Sequence, residues 1–586
     1  MSSLAVRVVA RMRSVLPTRA DLASMGRSPR GDLLAGLTVA IVALPLALGF
    51  GVSSGLGAEA GLATAVVAGA LAALFGGSNL QVSGPTGAMT VVLVPIVARY
   101  GPDGVLTVGL LAGLMLITLA LVRAGRYMRY VPAPVVEGFT LGIACVIGLQ
   151  QVPNALGVAK PEGGEVLVVT WRAVEVFVGA PNWTAAGLAA AVVAVMLIGA
   201  RWRPVVPFSI LAVIAATAVA QLCHLDAARP IGDLPAGLPA PSLAFLDLGA
   251  LGSLLASAVA VAALAALESL LSASVADGMT VGQKHDPDRE LFGQGLANLA
   301  APLFGGVPAT GAIARTAVNV RTGASSRLAA LTHAAILAVI VFAAAPLVSR
   351  IPLAALAGVL IATAIRMVDV GSLRAMARAT RSDGLVLILT AVATVALDLV
   401  YAVIIGLLVA GALALRAVAR QTRLDQVSLK EDLTGDHSVE EHALLAEHIV
   451  AYRIDGPLFF AAAHRFLLEL SNVADVRVVI LRMSRVTTMD ATGALVLKDA
   501  VTKLNRRGIT VLASGVRPGQ RRVLDSVGAL ALLRAATGDD YAGTPEAIAA
   551  ARSHLHGAGV LAPARPGPPP SPPPPVFPPC APGVRR

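Results

Sequence analysis

The sequence predicts an α-helical polytopic membrane protein, with fourteen spans in two inverted repeats of seven, followed by a small α/β domain. The first observation is composition, since 56% of the 586 residues are hydrophobic, 14% are charged and the mean hydropathy is +0.77. The second is a sequence motif that occurs twice, as LFGGSNLQVSGPTGAM in residues 74–89 and as LFGGVPATGAI in residues 303–313, which we call the repeated phrase. The third is a change after about residue 424, where charged residues and short alternating segments replace the apolar runs.

Composition divides the chain into four segments. These are a cytoplasmic amino-terminal segment (1–30), a membrane domain (31–423), a cytoplasmic α/β domain (424–545) and a proline-rich tail (546–586). The first segment is rich in arginine, and no small-residue cleavage site follows a short apolar core, so we expect the amino terminus to stay inside. The tail is too rich in proline to pack a core, so we expect it to be extended and disordered.

Each span is expected to be a run of about 20 apolar residues, although two of the fourteen runs are shorter. The first seven lie near 33–51, 58–76, 85–98, 104–122, 133–152, 184–200 and 204–222. The second seven lie near 249–275, 290–303, 310–320, 328–348, 353–368, 384–398 and 401–419.

The distribution of Lys and Arg supports this count, because cytoplasmic loops carry an excess of positive residues. With the amino terminus inside, the inner loops hold thirteen: Arg123, Arg126, Arg129, Arg201, Arg203, Lys284, Arg289, Arg321, Arg327, Arg366, Arg374, Arg378 and Arg381. The outer loops hold five: Arg99, Lys160, Arg172, Arg229 and Arg350. These positive loops also explain the net charge of +11, so we do not predict a nucleic-acid partner.

The repeated phrase falls on the third and tenth spans, which are equivalent positions in the two halves. Because seven is odd, the second half enters the membrane from the opposite side, and paired interrupted helices in such repeats form the binding site near the bilayer midplane. Glycine and proline interrupt both copies, at Gly76, Gly77, Gly84 and Pro85, and at Gly305, Gly306 and Pro308. Each short helix is therefore predicted to start partway through the membrane.

Two helix amino termini that meet in one cavity favour an anion, because each offers unpaired N–H groups and a partial positive charge. Threonine hydroxyls and a buried arginine would add donors, and glycine would let a ligand approach the backbone. The predicted substrate-binding residues are Thr86, Gly87, Ala88, Thr310, Gly311, Ala312 and Arg315. The alternative is that the glycines only permit close helix packing.

Glu268, in the middle of the eighth span, is the acidic residue that stands out. A carboxylate at that depth marks an ion pathway, a proton relay or a partner for a buried arginine. The alternative to a transport role is a static ion pair between Glu268 and Arg315 that holds helices together.

Enzyme chemistry is not predicted. The three cysteines are scattered, and no nucleophile with a base, metal-ligand cluster or nucleotide-binding loop stands out. No cofactor is expected beyond a coupling proton or sodium ion.

Two long runs resemble the SulP family of anion transporters, also called solute carrier family 26. They are RGDLLAGLTVAIVALPLALGFGVSSGLGAEAGL with GPTGAMT, and ESLLSASVAD with GLANLAAPLFGGVPATGAIARTAVNVRTGA. The resemblance covers roughly residues 30 to 545 and implies fourteen spans in core and gate domains, elevator-type motion and a homodimer. It therefore implies secondary active transport of a small inorganic anion, of the sulfate or bicarbonate class, across the cytoplasmic membrane.

The amino-terminal motif is closest to the branch that includes a sodium-coupled bicarbonate transporter. The cation site of that branch falls here on Glu268, Ser272, Gly311 and Ile313. Glu replaces the expected Asp, and Ile313 stands where a hydroxyl residue is expected, so a proton is favoured slightly over sodium. The alternatives to symport are a passive anion channel, a uniporter or an exchanger on the same fold, or a membrane-tethered regulatory module.

The soluble segment resembles the STAS domain that follows the transporter in this family. EHIVAYRI, PLFFAAA, VRVVILR and ITVLASG are predicted strands, and ATGALVLKDAVTKLNRRG is a predicted helix. Ala491 occupies the position of the phosphorylated serine in related antagonist proteins, so that switch is not predicted. Thr492 is the predicted cap of the helix.

The topology can be tested by labelling a single engineered cysteine at residue 505 in intact cells. Fourteen spans return the chain to its starting side, so a membrane-impermeant reagent should label this cysteine only after the membrane is opened. A cysteine introduced at residue 160, in a predicted outer loop, is the matched control. Strong labelling of residue 505 from outside would show that the number of spans is odd.

Overall fold

A computed structural model of the chain describes residues 15–161, 165–203, 206–225, 229–232, 234, 237–397, 399–420, 423–427, 445, 447–459, 476–534 and 541–560. The chain folds as two compact units that divide between Ala410 and Gly411. Most of the predicted proline-rich tail lies outside the described residues.

Helices dominate the chain up to residue 420, after a short helix at Arg19–Ser24. The helices of the first half are α1 (Pro29–Ser54), α2 (Ala58–Phe75), α3 (Gly87–Leu121), α4 (Ala133–Ala155), α5 (Val166–Gly179), α6 (Trp183–Trp202) and α7 (Phe208–Leu222). The helices of the second half are α8 (Leu251–Met279), α9 (Pro287–Ala300), α10 (Ile313–Arg321), α11 (Leu328–Ala343), α12 (Leu353–Met367), α13 (Val370–Ala379), α14 (Arg381–Ala396) and α15 (Leu399–Arg420).

Every predicted apolar run falls on one of these helices. The third and fourth runs share α3, which is interrupted at Gly101, where φ is 70°. Eight helices of the described residues are long and apolar enough to cross a membrane by length and composition, so fourteen crossings stay a prediction. Two further helices, α5 and α13, lie where the sequence predicts loops.

The helices pack in two groups that correspond to the expected core and gate. One group comprises α1, α2, α3, α8, α9, α10 and α11. The other is built on α4, against which α12 and α14 pack, with α6 against α12. Small residues allow this close packing: Gly61 of α2 lies against the backbone of Ala47 in α1, and Gly142 of α4 lies against Thr394 in α14.

The two copies of the repeated phrase meet as a short antiparallel sheet. Strand β1 (Ser83–Gly84) pairs with β2 (Thr310–Gly311), with Ser83 opposite Gly311 and Gly84 opposite Thr310. The Ala312 amide extends the pairing by donating to the Val82 carbonyl at 2.9 Å. Helices α3 and α10 start directly after this crossing, which confirms the predicted helix breaks.

The second unit contains a mixed sheet of five strands. These are β3 (Arg423–Val427), β4 (Ile449–Leu458), β5 (Val478–Arg482), β6 (Val486–Met489) and β7 (Thr510–Ser514). The order is β3-β4-β5-β7, and β6 pairs with β4 beyond the end of β5. The β3–β4 pair is antiparallel, and the other pairs are parallel.

Helices cover the two faces of this sheet, because alternate residues of a buried strand point to opposite sides. On one face, Val479 and Leu481 of β5 share a core with α16 (Ala491–Arg506), α17 (Pro518–Ser526) and α18 (Ala529–Arg534). On the other face, Val478 and Ile480 of β5 pack with α19 (Thr544–Gly557).

The structure changes the bounds of two sequence predictions for this unit. EHIVAYRI and the start of PLFFAAA form one strand, β4, and residues 460–463 lie outside the described residues. The tail does not begin at 546, because Ala547, Ala551 and Leu555 of α19 are buried against the sheet at four-residue spacing. The predicted strands VRVVILR and ITVLASG and the predicted helix are confirmed as β5, β7 and α16.

The cap of α16 is also corrected. Asp490 is the N-cap residue, and its carboxylate accepts the Gly493 amide at 2.7 Å. Thr492 is an exposed residue inside the first turn, two positions after the N-cap. A carboxylate at this end also interacts favourably with the helix dipole, which a threonine cannot do.

Replacing this cap should therefore loosen α16. We expect Asp490→Ala to lower the free energy of opening of α16 by about 1 kcal/mol, the usual contribution of an N-cap side chain. Amide hydrogen exchange of the intact chain would measure this change. Thr492→Ala is the matched control and should have little effect; an equal loss in both variants would contradict the assignment of the cap.

Candidate functional site

The amino terminus of α3 is capped by Thr86. Its side-chain oxygen accepts the Met89 amide at 3.4 Å, and its carbonyl accepts the Thr90 amide at 3.1 Å. The amides of Gly87 and Ala88 belong to the first turn, so they have no acceptor within the helix. Gly87 is buried, and a Cβ there would overlap Ile147 of α4.

The amino terminus of α10 is more open. Its N-cap residue is Ala312, which has no side-chain acceptor, and the Ala312 carbonyl accepts the Thr316 amide at 2.9 Å. Ile313 is 36% exposed, whereas Ala312 is buried. The first amides of α10 are therefore uncapped at a helix end that a small ligand can approach.

Glu268 connects these two helix starts. Its Oε2 accepts a hydrogen bond from the Thr86 hydroxyl at 2.8 Å, and the next residue, Ser269, hydrogen-bonds the Thr310 hydroxyl at 3.3 Å. The side chain is partly exposed, although α8 is packed against α3 and α10. The predicted substrate residues Thr86 and Thr310 and the predicted coupling residue Glu268 therefore meet at one point.

Arg315 joins the second helix to the first break. Its side chain is 2% exposed, and Nη2 donates to the Pro85 carbonyl, next to the residue that caps α3. Nη1 lies beside Gly84 and has no hydrogen-bond partner among the described residues. One donor of this guanidinium thus orients the α3 start, and a second is available for an anion.

The alternative of a static Glu268–Arg315 pair is not what the structure shows. Among the described residues, the ion pairs within 4.0 Å do not include these two side chains. Arg315 lies in the first turn of α10 rather than on a later turn, which lets it reach across to Pro85. The two opposite charges therefore bond different residues of the α3 start, Thr86 and Pro85, rather than each other.

Two serines of α8, Ser269 and Ser272, hydrogen-bond different partners. Ser269 hydrogen-bonds the Thr310 hydroxyl at 3.3 Å and accepts the Gly311 amide at 3.0 Å. Ser272 instead hydrogen-bonds Thr316 of α10 at 2.9 Å. Ser272 is thus engaged by α10, and Ser269, which the sequence places beside Glu268, holds β2.

Gln81 is a second residue that sequence reasoning missed. It is buried, and a Cβ on Gly311 would overlap its Nε2. Neither polar atom of its amide has a hydrogen-bond partner among the described residues. No motif identifies this glutamine, because its position over Gly311 depends on the β1–β2 pairing.

The combination of groups suits an anion together with a titratable or cation-binding carboxylate. The donors are backbone amides of the first turns, threonine hydroxyls and one guanidinium nitrogen, and the charged acceptor that hydrogen-bonds this group among the described residues is Glu268. An anion would be repelled by an ionised Glu268 and admitted more easily once that charge is neutralised. The site can therefore link the occupancy of an anion to a change in charge at Glu268.

The sequence profile of the sulfate permease family matches residues 30–390, which is more than half of the chain and spans both helix breaks. The chain belongs to the sulfate permease family. A profile of the STAS domain matches residues 443–539, within the second unit. The chain is therefore a multi-pass membrane anion transporter rather than an enzyme, and both family resemblances are confirmed.

Curated relatives cover nearly the whole chain. YvdB of Bacillus subtilis (strain 168), provisionally named as a sulfate transporter, is 36% identical over 509 residues, which cover 85% of this chain and 93% of YvdB. The bicarbonate transporter BicA of Synechocystis sp. is 32% identical over 517 residues, which cover 86% of this chain and 91% of BicA.

Solved structures agree with this assignment. The transmembrane domain of a cyanobacterium bicarbonate transporter BicA has a TM-score of 0.58 and 34% identity, and covers 66% of this chain and 98% of that domain. SLC26A9 has a TM-score of 0.78 over 95% of this chain and 96% of its own, but at 15% identity it shows the fold alone. The sulfate permease fold is thus confirmed for this chain.

Proposed function

We propose that the chain is a secondary active transporter that couples the movement of a small inorganic anion, of the sulfate or bicarbonate class, to a cation. The observation that carries this proposal is the hydrogen bond from Thr86 to Glu268, because it ties the start of a half-helix to an acidic side chain. A carboxylate in an apolar bundle is costly unless it is paired, protonated or bound to a cation.

The anion would lie between the starts of α3 and α10. Seven residues at or beside those helix starts would form its binding site: Thr86, Gly87, Ala88, Thr310, Gly311, Ala312 and Arg315. Backbone amides and a helix dipole can bind an anion without a full counter-charge. The unpartnered Nη1 of Arg315 would supply the remaining positive charge.

A proton is the coupling ion that we propose. Sodium requires several oxygen ligands, whereas here Ser272 is engaged by Thr316 and Ile313 has no oxygen in its side chain. Glu268 alone can carry a proton, and its hydrogen bond with the Thr86 hydroxyl can form in either protonation state. A sodium site at Glu268, Ser272 and Gly311 remains the competing arrangement that imposed gradients would distinguish.

The cycle would follow from the two packing groups of helices. The core group carries both half-helices and Glu268, so its movement against the group built on α4 would carry the anion and the proton together. We place the protein in the cytoplasmic membrane as a homodimer with both termini in the cytoplasm, in line with the charge bias of the loops. The names of the relatives support both sulfate and bicarbonate as candidate substrates.

Removing both threonine hydroxyls should weaken anion binding more than folding. We expect Thr86→Val combined with Thr310→Val to lower affinity about tenfold or more, since each lost hydrogen bond contributes about 1 kcal/mol. Binding of labelled sulfate and bicarbonate to the purified protein would measure this loss.

Thr107→Val is the matched control, because Thr107 is a buried threonine of α3 whose hydroxyl donates to the Asp103 carbonyl, away from the crossing. The control should bind like the parent. If the double variant also bound like the parent, the site assignment would be wrong.

Glu268→Gln should abolish accumulation of the anion against its gradient. The amide mimics the protonated carboxyl but cannot release a proton, so binding and exchange should remain while imposed proton gradients no longer drive uptake. Uptake into proteoliposomes, with proton and sodium gradients imposed separately, would test this expectation and identify the coupling ion.

Glu137→Gln is a matched control, since Glu137 of α4 accepts a hydrogen bond from Ser372 at 3.0 Å and belongs to the other group of helices. It should retain accumulation. Continued accumulation by Glu268→Gln would make Glu268 structural and favour the passive channel or uniporter.

A further inference from the structure

Helix α9 presents three polar side chains at four-residue intervals to the two chain breaks. They are Glu290, Gln294 and Asn298, and all three are at most 1% exposed. Residues four apart lie on one face of a helix, so these three form a continuous stripe, which we call the α9 polar stripe. Neither the anion site nor the proton cycle described above uses it.

The first member of the stripe holds the start of the first break. Glu290 Oε2 accepts the Gly77 amide at 2.9 Å and the Ser78 amide at 3.1 Å. Glycine is needed for this approach, because a Cβ on Gly77 or on Gly293 of α9 would overlap the facing backbone. The break thus lies directly against α9.

The other two members hold one strand of the crossing each. Gln294 Nε2 donates to the Ser83 hydroxyl at 2.5 Å, on β1. Asn298 clamps Ala309, directly before β2, by accepting its amide at 2.8 Å and donating to its carbonyl at 2.9 Å. Ser83 itself is paired with Gly311 of β2.

The stripe is also linked internally. Gln294 Nε2 donates to Glu290 Oε1 at 3.2 Å, and Asn298 Nδ2 donates to the Gln294 carbonyl at 2.8 Å. A shift of one side chain would therefore disturb its neighbours as well as the strand that it holds.

We propose that the α9 polar stripe fixes the register of the β1–β2 crossing, and that Gln294 and Asn298 are positioning residues for the anion site. Among the described residues, their side-chain hydrogen bonds go to Ser83, Ala309 and one another or Glu290 rather than to the seven proposed anion-binding residues, so they would act through Ser83 and Ala309. Because α3 and α10 start within three residues of these strands, a slip in the crossing would separate Thr86 from Thr310 and Arg315. This inference rests on the proposed anion site.

The test is a double-mutant cycle on Gln294 and Ser83. Gln294→Met keeps the length of the side chain and removes its polar atoms, and Ser83→Ala removes its partner. We expect each single variant to weaken binding of sulfate or bicarbonate about tenfold or more, as removal of supporting groups does at metal sites. The double variant should be no weaker than Gln294→Met, since both changes break one contact.

Leu291→Ala separates positioning from general stability, because Leu291 is a buried leucine of the same helix. It should lower the melting temperature at least as much as Gln294→Met and leave affinity near that of the parent. If it weakened binding as much as Gln294→Met, or if the double variant were additive, the positioning inference would be overturned. Should Gln294→Met fail to reach the membrane, Ser83→Ala alone decides between these outcomes.

Arg315→Lys and Thr310→Val, measured in parallel, distinguish failure of this inference from failure of the proposed function. If both leave affinity unchanged, the anion site itself is misplaced. If they weaken binding while Ser83→Ala and Gln294→Met do not, the site stands and the stripe is structural only.

Discussion

The two helix breaks leave backbone amides and carbonyls without helical partners inside a bundle of apolar helices, and the rest of the site depends on how those groups are satisfied. Unpaired backbone groups are costly where water is excluded, so irregular backbone needs partners from the protein. Part of the solution is the pairing of β1 with β2. The remainder comes from side chains, such as Asn298 on Ala309 and Asn319, which donates to the Leu80 carbonyl at 2.8 Å. The half-helices can start where they do because neighbouring helices supply these partners.

The proposed coupling uses this same arrangement. The Thr86 hydroxyl accepts from the first turn of α3 and donates to Glu268, so it connects a helix cap to a charge. A protonated Glu268 can itself donate, which would release the Thr86 hydrogen for an anion at the helix start. In the proposed cycle, protonation therefore both removes the repelling charge and frees a donor, whereas Arg315 keeps its bond to Pro85 in either state.

Local signals in the sequence predicted the architecture, and three-dimensional contacts decided what they missed. The breaks were placed within three residues of the starts of α3 and α10, because glycine and proline act on the backbone locally. The family resemblance placed Ser272 with Glu268 in a cation site; the structure adds that Ser269 and Ser272 hydrogen-bond different parts of the α10 region, which spacing along α8 alone cannot reveal. Thr492 was the predicted cap of α16, whereas the helix begins at Ala491 and is capped by Asp490, because the exact first residue of a helix depends on where the preceding strand ends.

Some residues of the repeated phrase pack helices together, and others belong to the proposed anion site. Gly77 of the first copy lies against α9, and Gly306 of the second copy lies against Thr64 of α2. Helices α2 and α9 contain the second and ninth predicted runs, which are counterparts in the two halves. Gly77 and Gly306 therefore make equivalent contacts across the inverted repeat. Thr310 and Gly311 of the second copy instead pair with Gly84 and Ser83 of the first copy, and Thr86 hydrogen-bonds Glu268. Close packing and anion binding were alternatives for the whole phrase. The glycines account for the packing, and the proposed binding site uses other residues of the same phrase, whose position depends on that packing.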